Sequence, residues 1–431
     1  MQRLATRPRQ KIVIAGAGFG GINATKALLD GPFDITLIDR DNYHGFWPLL
    51  YQVATAALGP EDIAHPIRGI FSHRANVHVR LATISGVDLD RHLVHIEEED
   101  DVEYDYLILA VGSSTSDFGI PGVDEHAFPL KTLPDAVRLR NHILRTFERA
   151  DASPGLVDDG LLTIVLAGGG PTGVEMAGSL SELIARNLAG DFPHLDVTKA
   201  RVVLVEMVDH LLGGFSPTSQ AHARETLLAM GVEIRLNTAI SAVGESSVTF
   251  KDGSTIRCGT VVWTAGIRAN PLADRLDLPK GKGGAIVVAP DLTVPDHPEV
   301  FVIGDLAAAT DRHGEPYPQL AQVAIQGAKH VARTIRRRML GKAPRPFRYH
   351  DHGIMATIGR RAAVAEVPGG LKLQGTPGWL AWLGVHLIFL VGFRNRVVVM
   401  FSWAWGYLTW DRASRIILDE SSTTPTGQHR A

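Results

Sequence analysis

A single cysteine, Cys258, stands in a chain of 431 residues. That scarcity excludes an internal disulfide, a redox-active cysteine pair and any cysteine-rich zinc or iron–sulfur site. Charge of one sign is lacking as well: 43 Lys and Arg against 46 Asp and Glu leave a formal charge of -3, with no overall pull toward nucleic acid. None of the 18 histidines has zinc-like spacing such as His-Glu-x-x-His, and no metal is expected. No Gly-x-Ser-x-Gly elbow is present, which argues against hydrolysis. The basic start, Arg3 to Lys11, meets only a short apolar run before Gly16. That run is better used as a buried first strand than as the core of a signal peptide, and no export is expected.

What the chain has in quantity is glycine, 44 residues of it, and two clusters share one pattern. Lys11-Ile12-Val13-Ile14-Ala15 runs into Gly16-Ala17-Gly18-Phe19-Gly20-Gly21, and Leu162-Thr163-Ile164-Val165-Leu166-Ala167 runs into Gly168-Gly169-Gly170-Pro171-Thr172-Gly173. Each reads as a strand ending in a tight turn from which a helix starts. Such a turn lets the backbone approach a pyrophosphate, and the helix N-terminus offers free amides and partial positive charge. A turn that merely packs helix on strand has the same look when it occurs once. Two in one chain point to two dinucleotides, and the length allows two or three domains to hold them.

The segments after each turn agree. A helix is expected from Phe19 to Leu29, then a strand Asp34 to Ile38 ending at Asp39, placed to accept from ribose hydroxyls. After the second turn, a helix from Gly173 to about Ala189 leads to a strand Arg201 to Val205 ending at Glu206. That acid arrives later than the usual ~20 residues, with Asp191-Phe192-Pro193-His194 as an insertion. An acid there favours NADH over NADPH, whose 2′-phosphate would meet like charge. Tyr104 to Gly112, closing on Ala110 and Gly112, has a near-copy in Thr260 to Gly266, which suggests a duplicated nucleotide-binding unit. A further buried strand, Pro298 to Ile303, delivers Asp305, either to a cofactor hydroxyl or as the N-cap of the next helix.

From Trp379 to Val391 the chain is nearly all apolar, Arg394 and Arg396 interrupt, and a second apolar stretch runs from Val397 to Trp410 with Trp403, Trp405, Tyr407 and Trp410. Each half is shorter than the ~20 residues that cross a bilayer. The pair reads as an anchor lying in a membrane surface, with a buried core or dimer contact as the alternative. Arg333, Arg336, Arg337, Arg338 and Lys342 form a basic run able to meet anionic headgroups, or a solvated helix face.

As a set these residues resemble the type II NADH:quinone oxidoreductases, single-chain, non-proton-pumping dehydrogenases that carry FAD. The most specific stretches are Asn42 to Thr55, Gly168 to Glu175, Val302 to Leu306 and Ala321 to Gln326. The resemblance implies an α/β fold with two Rossmann-type dinucleotide-binding domains and a carboxyl-terminal membrane-anchoring domain. The FAD domain would be discontinuous, 1–115 and 296–345, around an NADH domain at 116–295, with 346–431 at the membrane. Gly16, Gly18, Gly20, Gly21, Asp39, Ala110, Gly112 and Asp305 then match FAD contacts, and Gly168, Gly170, Gly173, Glu206 and Gly266 the NADH site. Gln322 and Gln326, four apart on one helix face, match a motif beside the flavin at the quinone pocket, and Glu175 resembles a proton or charge partner near nicotinamide and quinone. Two departures, Trp47 for a frequent Gln and Gly327 for a second Gln, bear on quinone preference. A membrane quinone, a peripheral position on the cytoplasmic face of the cell membrane and a possible homodimer follow from the same likeness. A soluble ferredoxin-type reductase and a non-catalytic NADH-sensing flavoprotein remain alternatives on the residues alone.

Overall fold

The computed structural model describes residues 9–412 and 414–418. The first residues of the basic start from Arg3, and the end of the 346–431 segment, lie outside them. Strand Gln10–Ala15 is buried over its last four residues, because a parallel strand is covered on both faces. It pairs with Phe33–Asp39 on one side and Tyr106–Leu109 on the other. Val77–Leu81 and His297–Val302 extend the two flanks in parallel, and the short antiparallel Thr293–Val294 completes six strands.

A second sheet repeats the plan. Thr163–Ala167 lies between Arg201–Val205 and Thr260–Trp263, with Glu233–Arg235 and Phe128–Pro129 outermost, all parallel. Each glycine turn therefore leaves an interior strand at its carboxyl end, where open parallel sheets take their ligands. The duplication visible in the sequence is a duplication of topology. The sheets are joined by two crossing segments, Ser113–Thr115 and Ile267–Ala269, paired antiparallel.

The helices after the turns are Phe19–Leu28 and Pro171–Leu183. The second continues past Ala189, loosening into a π-turn at Ile184–Leu188 and ending at Asp191. That segment and the short turn Val197–Lys199 supply the delay before Arg201–Val205. Asp305 lies in the short turn Gly304–Leu306, and the next helix, Ala321–Met339, is preceded by Leu320, so Asp305 is not its N-cap.

Ile354–Gly359, Ala362–Val367 and Leu371–Gln374 form an antiparallel sheet that docks on helix Pro171–Leu183. The contact is backbone to backbone at Gly178, where a Cβ would lie 1.5 Å from the Ile358 carbonyl oxygen. Two helices follow, Gly375–Phe389 and Phe393–Thr409. Arg394 and Arg396 fall between the two apolar segments, as expected. They begin the second helix, and the chain turns at residues 390–392, where Gly392 lies against the His65 ring. Asn395, buried, clips that bend to the body by donating to the Glu61, Asp62 and Ala64 carbonyls at 3.2 to 3.4 Å.

Each helix of this hairpin has two apolar faces with different fates. Trp382, Val399 and Trp403 are buried against the body, whereas Ile388, Phe389, Phe401 and Trp405 are exposed, and Phe393 and Leu408 are each 82% exposed. The neighbouring tryptophans part accordingly: Trp403 turns inward and donates to Gln52 Oε1 at 2.8 Å, while Trp405 faces out. Among the described residues no helix is long and apolar enough to cross a membrane.

The basic run is not an open cationic face. Arg336 donates to the Ala27 carbonyl at 2.5 Å, Arg337 to Ala343 at 2.9 Å, and Arg338 pairs with Asp291 at 2.9 Å. These bonds tie helix Ala321–Met339 to neighbouring segments, and Arg333 and Lys342 are left exposed.

Candidate functional site

At the first turn Gly16 has φ +96°, and a Cβ there would sit 2.6 Å from the Ala110 carbonyl oxygen. Only glycine takes that backbone without strain. A Cβ on Gly21 would lie 1.7 Å from the Gly16 oxygen, which lets helix Phe19–Leu28 start directly on the turn, with Gly20 against Ile303. At Gly18 a Cβ would meet nothing, and no side chain caps the helix. Its first amides therefore face open space. Asp39 Oδ2 accepts from the Ala17 amide at 2.5 Å and Oδ1 from Asp41 at 2.9 Å. Burial raises the Asp39 pKa, and these two amides oppose the rise. On the far side Ala110 and Gly112 follow the adjacent strand, and Asp305 accepts from Ser113 Oγ at 2.6 Å. Lys131, absent from the sequence reading, donates to Ser113 Oγ at 2.7 Å and lies 3.9 Å from Asp305, with its pKa lowered by burial.

The second turn repeats this geometry. Gly168 has φ +107°, a Cβ on Gly173 would lie 1.9 Å from the Gly168 oxygen, and Gly170 is open. Glu206 Oε2 accepts from Gly169 at 2.6 Å and Oε1 from Val208 at 3.1 Å. Gly266 sits where the crossing segments meet, its carbonyl accepting from Ser116 and its Cα under the Phe118 ring. Both cradles are shaped by glycine, lined by uncapped helix amides and flanked by an acid. Those are the features a dinucleotide pyrophosphate and ribose require.

Helix Pro171–Leu183 carries Glu175, Ser179 and Glu182, spaced so that all three lie on one face. Glu175 is buried and accepts from the Thr357 amide at 3.3 Å. Burial outweighs that bond and pushes its carboxyl up to about 8. Glu175 lines a cleft of about 70 Å³ whose other walls include Tyr51, Gln52, Trp403, Tyr407 and Arg412. Gln52 also donates to the Tyr51 hydroxyl at 2.9 Å. Trp403, Tyr407 and Gly406 come from the hairpin helix whose outer face is exposed and apolar.

Gln322 and Gln326 share a helix face, as their spacing predicts, but their amides are already bonded. Gln322 donates to the Gly353 carbonyl at 3.0 Å and accepts from His352 at 3.2 Å. Gln326 donates to and accepts from the His350 backbone at 2.7 and 2.9 Å. They hold residues 350–353, which lead into the strand bearing Thr357. Neither lines the cleft that Glu175 lines. Trp47 folds its ring over Gly45, and Gly327 packs near Leu292 and Ile303. Tyr51 and Gln52 lay inside a stretch already singled out in the sequence. Ser179, Glu182 and Arg412 carried no motif, and only the helical spacing from Glu175 could have found the first two. Among the described residues no group of three or more His, Cys, Asp or Glu is placed to hold a metal ion.

Residues 10–328 match the pyridine nucleotide-disulphide oxidoreductase family, and residues 352–409 match the NDH2 C-terminal domain. The chain is 39% identical to the type II NADH:quinone oxidoreductase Ndh of Mycobacterium tuberculosis over 97% of its own length and 92% of that protein's. It is 40% identical to NdhA of the same organism, over 93% and 87%. Its fold superposes on Plasmodium falciparum NDH2 in complex with NADH with a TM-score of 0.85, at 20% identity, covering 95% of this chain and all of that one. The chain belongs to the type II NADH:quinone oxidoreductases.

Proposed function

We propose that this chain oxidises NADH and reduces a membrane quinone through FAD, without pumping protons, while seated on a lipid surface. The observation that carries this reading is the pair of matching cradles, Gly16 to Gly21 with Asp39 and Gly168 to Gly173 with Glu206, joined to a carboxyl-terminal hairpin with an exposed apolar face. The ferredoxin-reductase and NADH-sensing alternatives leave that hairpin and the NDH2 C-terminal domain without a purpose.

FAD would be held by the first cradle with Ala110, Gly112 and Asp305, in a domain of residues 1–115 and 296–345. When bound, it supplies the acceptor for a hydride from NADH and the donor of two electrons to the quinone. The rest is placement by the chain. In the 116–295 domain the open amides at Gly170 receive the NADH pyrophosphate, Glu206 accepts from the ribose hydroxyls, and Gly266 lines the approach. Glu175 stays protonated up to about pH 8 and holds that proton at the wall of the cleft, where a reduced quinone oxygen can take it. The quinone head enters that cleft between Tyr51, Gln52 and Tyr407, from the lipid that meets Phe393, Phe401, Trp405 and Leu408. Gln322 and Gln326 act by holding residues 350–353 and with them the strand that backs Glu175. The charged dinucleotide does not cross a bilayer, which puts the 346–431 anchor on the cytoplasmic face, and the exposed face of the hairpin also offers a homodimer contact.

Four outcomes test this. Purified protein carries an oxidised-flavin absorbance that NADH bleaches and an added quinone restores; protein that reconstitutes without flavin absorbance refutes the reading. Glu206→Arg lowers kcat/KM for NADH by about tenfold or more and shifts the NADPH-to-NADH ratio toward NADPH, because the carboxylate no longer repels a 2′-phosphate while the loosened Gly169 turn costs both dinucleotides alike. An unchanged preference takes Glu206 out of the ribose site. Serine at Phe393, Phe401, Trp405 and Leu408 together leaves NADH oxidation by a soluble acceptor intact and abolishes co-sedimentation with lipid vesicles. Point changes suit this better than truncation after Pro377, which would uncover the surfaces that Trp382 and Trp403 bury. Continued sedimentation would remove the hairpin as anchor.

The fourth concerns pH. The Glu175 carboxyl ionises near 4.5 when unfolded and near 8 when folded, so within that window folding takes up a proton and stability falls as pH rises. Glu175→Gln removes this slope: its Tm declines less than the parent's between about pH 5.5 and 8. Parallel melting curves would show that the carboxyl ionises normally.

A further inference from the structure

Beyond the groups that meet substrate, one buried side chain joins the walls of the cleft. Arg412 follows the anchor hairpin, on a strap that runs back over the second sheet's helices. Its Nη1 has two N–H groups, which donate to the Thr55 carbonyl at 2.9 Å and, shared, to the Ser179 carbonyl and hydroxyl at 3.1 and 3.2 Å, and its Nη2 pairs with Glu182 at 3.1 Å. Glu182 uses its other oxygen to accept from the Arg360 amide at 2.6 Å, and Thr55 and Ser179 share a hydroxyl bond at 2.7 Å. Four segments meet here: the helix of Tyr51 and Gln52, the helix of Glu175, the turn after Ile354–Gly359, and the strap itself. All four contribute residues to the cleft.

We propose that Arg412 is a positioning residue for the quinone half of the reaction, holding the cleft walls at the separation that aligns a quinone with Glu175. The proposal rests on the cleft being the quinone's. Three observations separate this role from general stability. The strap has other moorings: the Arg186 and Arg360 guanidiniums lie over the Trp410 ring at 4.9 and 4.4 Å, the Trp410 carbonyl accepts from Asn187 at 2.6 Å, Arg415 pairs with Asp191 at 2.7 Å, and Asn141 bonds Leu418. Loss of Arg412 therefore unlinks the walls without freeing the strap. A guanidinium can serve four acceptors in fixed directions, whereas an ammonium is a point charge that cannot reach them all. Finally, Ser179 and Glu182 lie ~9 and ~14 Å along the helix from Gly173, at 1.5 Å per residue, away from the pyrophosphate cradle.

Stopped-flow absorbance on the flavin-loaded protein reads the two half-reactions apart. Arg412→Ala is expected to leave flavin reduction by NADH within about twofold and to raise the quinone KM by about 10- to 100-fold, the range that ångström-scale misplacement produces. Arg412→Lys keeps a charge beside Glu182, protecting the fold should the alanine variant fail, and shifts KM in the same direction by less. An unchanged quinone KM in both variants overturns the proposal, as does an equal slowing of both half-reactions accompanied by a lower Tm. Gly406→Phe narrows the same cleft from the hairpin side and leaves residue 412 an arginine. If it blocks quinone while Arg412→Ala and Arg412→Lys do nothing, the cleft stands and the positioning role falls. If it leaves quinone turnover unchanged, the cleft itself is wrong and the proposal falls with it.

Discussion

A carboxylate at the end of a parallel strand, gripping an amide inside the neighbouring glycine turn, is the bond on which the rest of this structure depends. Asp39 holds Ala17 and Glu206 holds Gly169, in each case the second residue of the turn, and each acid also takes the amide two residues beyond itself. A charge-assisted bond of this kind is roughly twice as strong as a neutral one. It fixes the turn so that the helix beginning there points uncapped amides outward, at the positive end of its dipole. Asp serves in one copy and the longer Glu in the other, at nearly the same bond length. With the cradle built twice, the chain can hold a donor and an acceptor dinucleotide.

The helix after the second turn links the two halves of the chemistry. Its N-terminus belongs to the NADH cradle, while one face, Glu175, Gly178, Ser179 and Glu182, belongs to the carboxyl-terminal sheet. The approach at Gly178 is closer than any side chain permits, so the sheet seats directly on the helix backbone. That seating buries Glu175 and raises its pKa. A carboxyl on an open helix face would ionise normally and hold no proton at neutral pH.

The hairpin resolves a conflict that composition alone leaves open. Its helices are apolar on nearly every side, which in a soluble domain means full burial. Here only one side is buried, through Trp382, Val399 and Trp403, with Asn395 fastening the bend and Trp403 reaching Gln52. The opposite side stays uncovered in the chain by itself, and a contiguous exposed apolar face marks a surface for a lipid or a protein partner.

Both glycine turns, their strands and helices, the strand-end acids and the apolar hairpin were legible in the sequence, because each rests on local rules: β-rich runs, glycine where backbones cross, helical spacing. The carboxyl-terminal surroundings of the site were not. Gln322 and Gln326 share a face as predicted, yet what they bond is the chain 24 to 31 residues further on. Arg336 and Arg338 of the basic run turn out to be tethers for the same reason, since their partners Ala27 and Asp291 are distant in sequence and leave no periodic trace. Arg412 reaches back to Thr55 across the whole molecule. Sequence by itself determined that two nucleotides could be bound, because that depends on short-range backbone geometry. Tertiary structure alone decided which polar groups surround the cleft, because burial and long-range pairing arise only when distant segments pack.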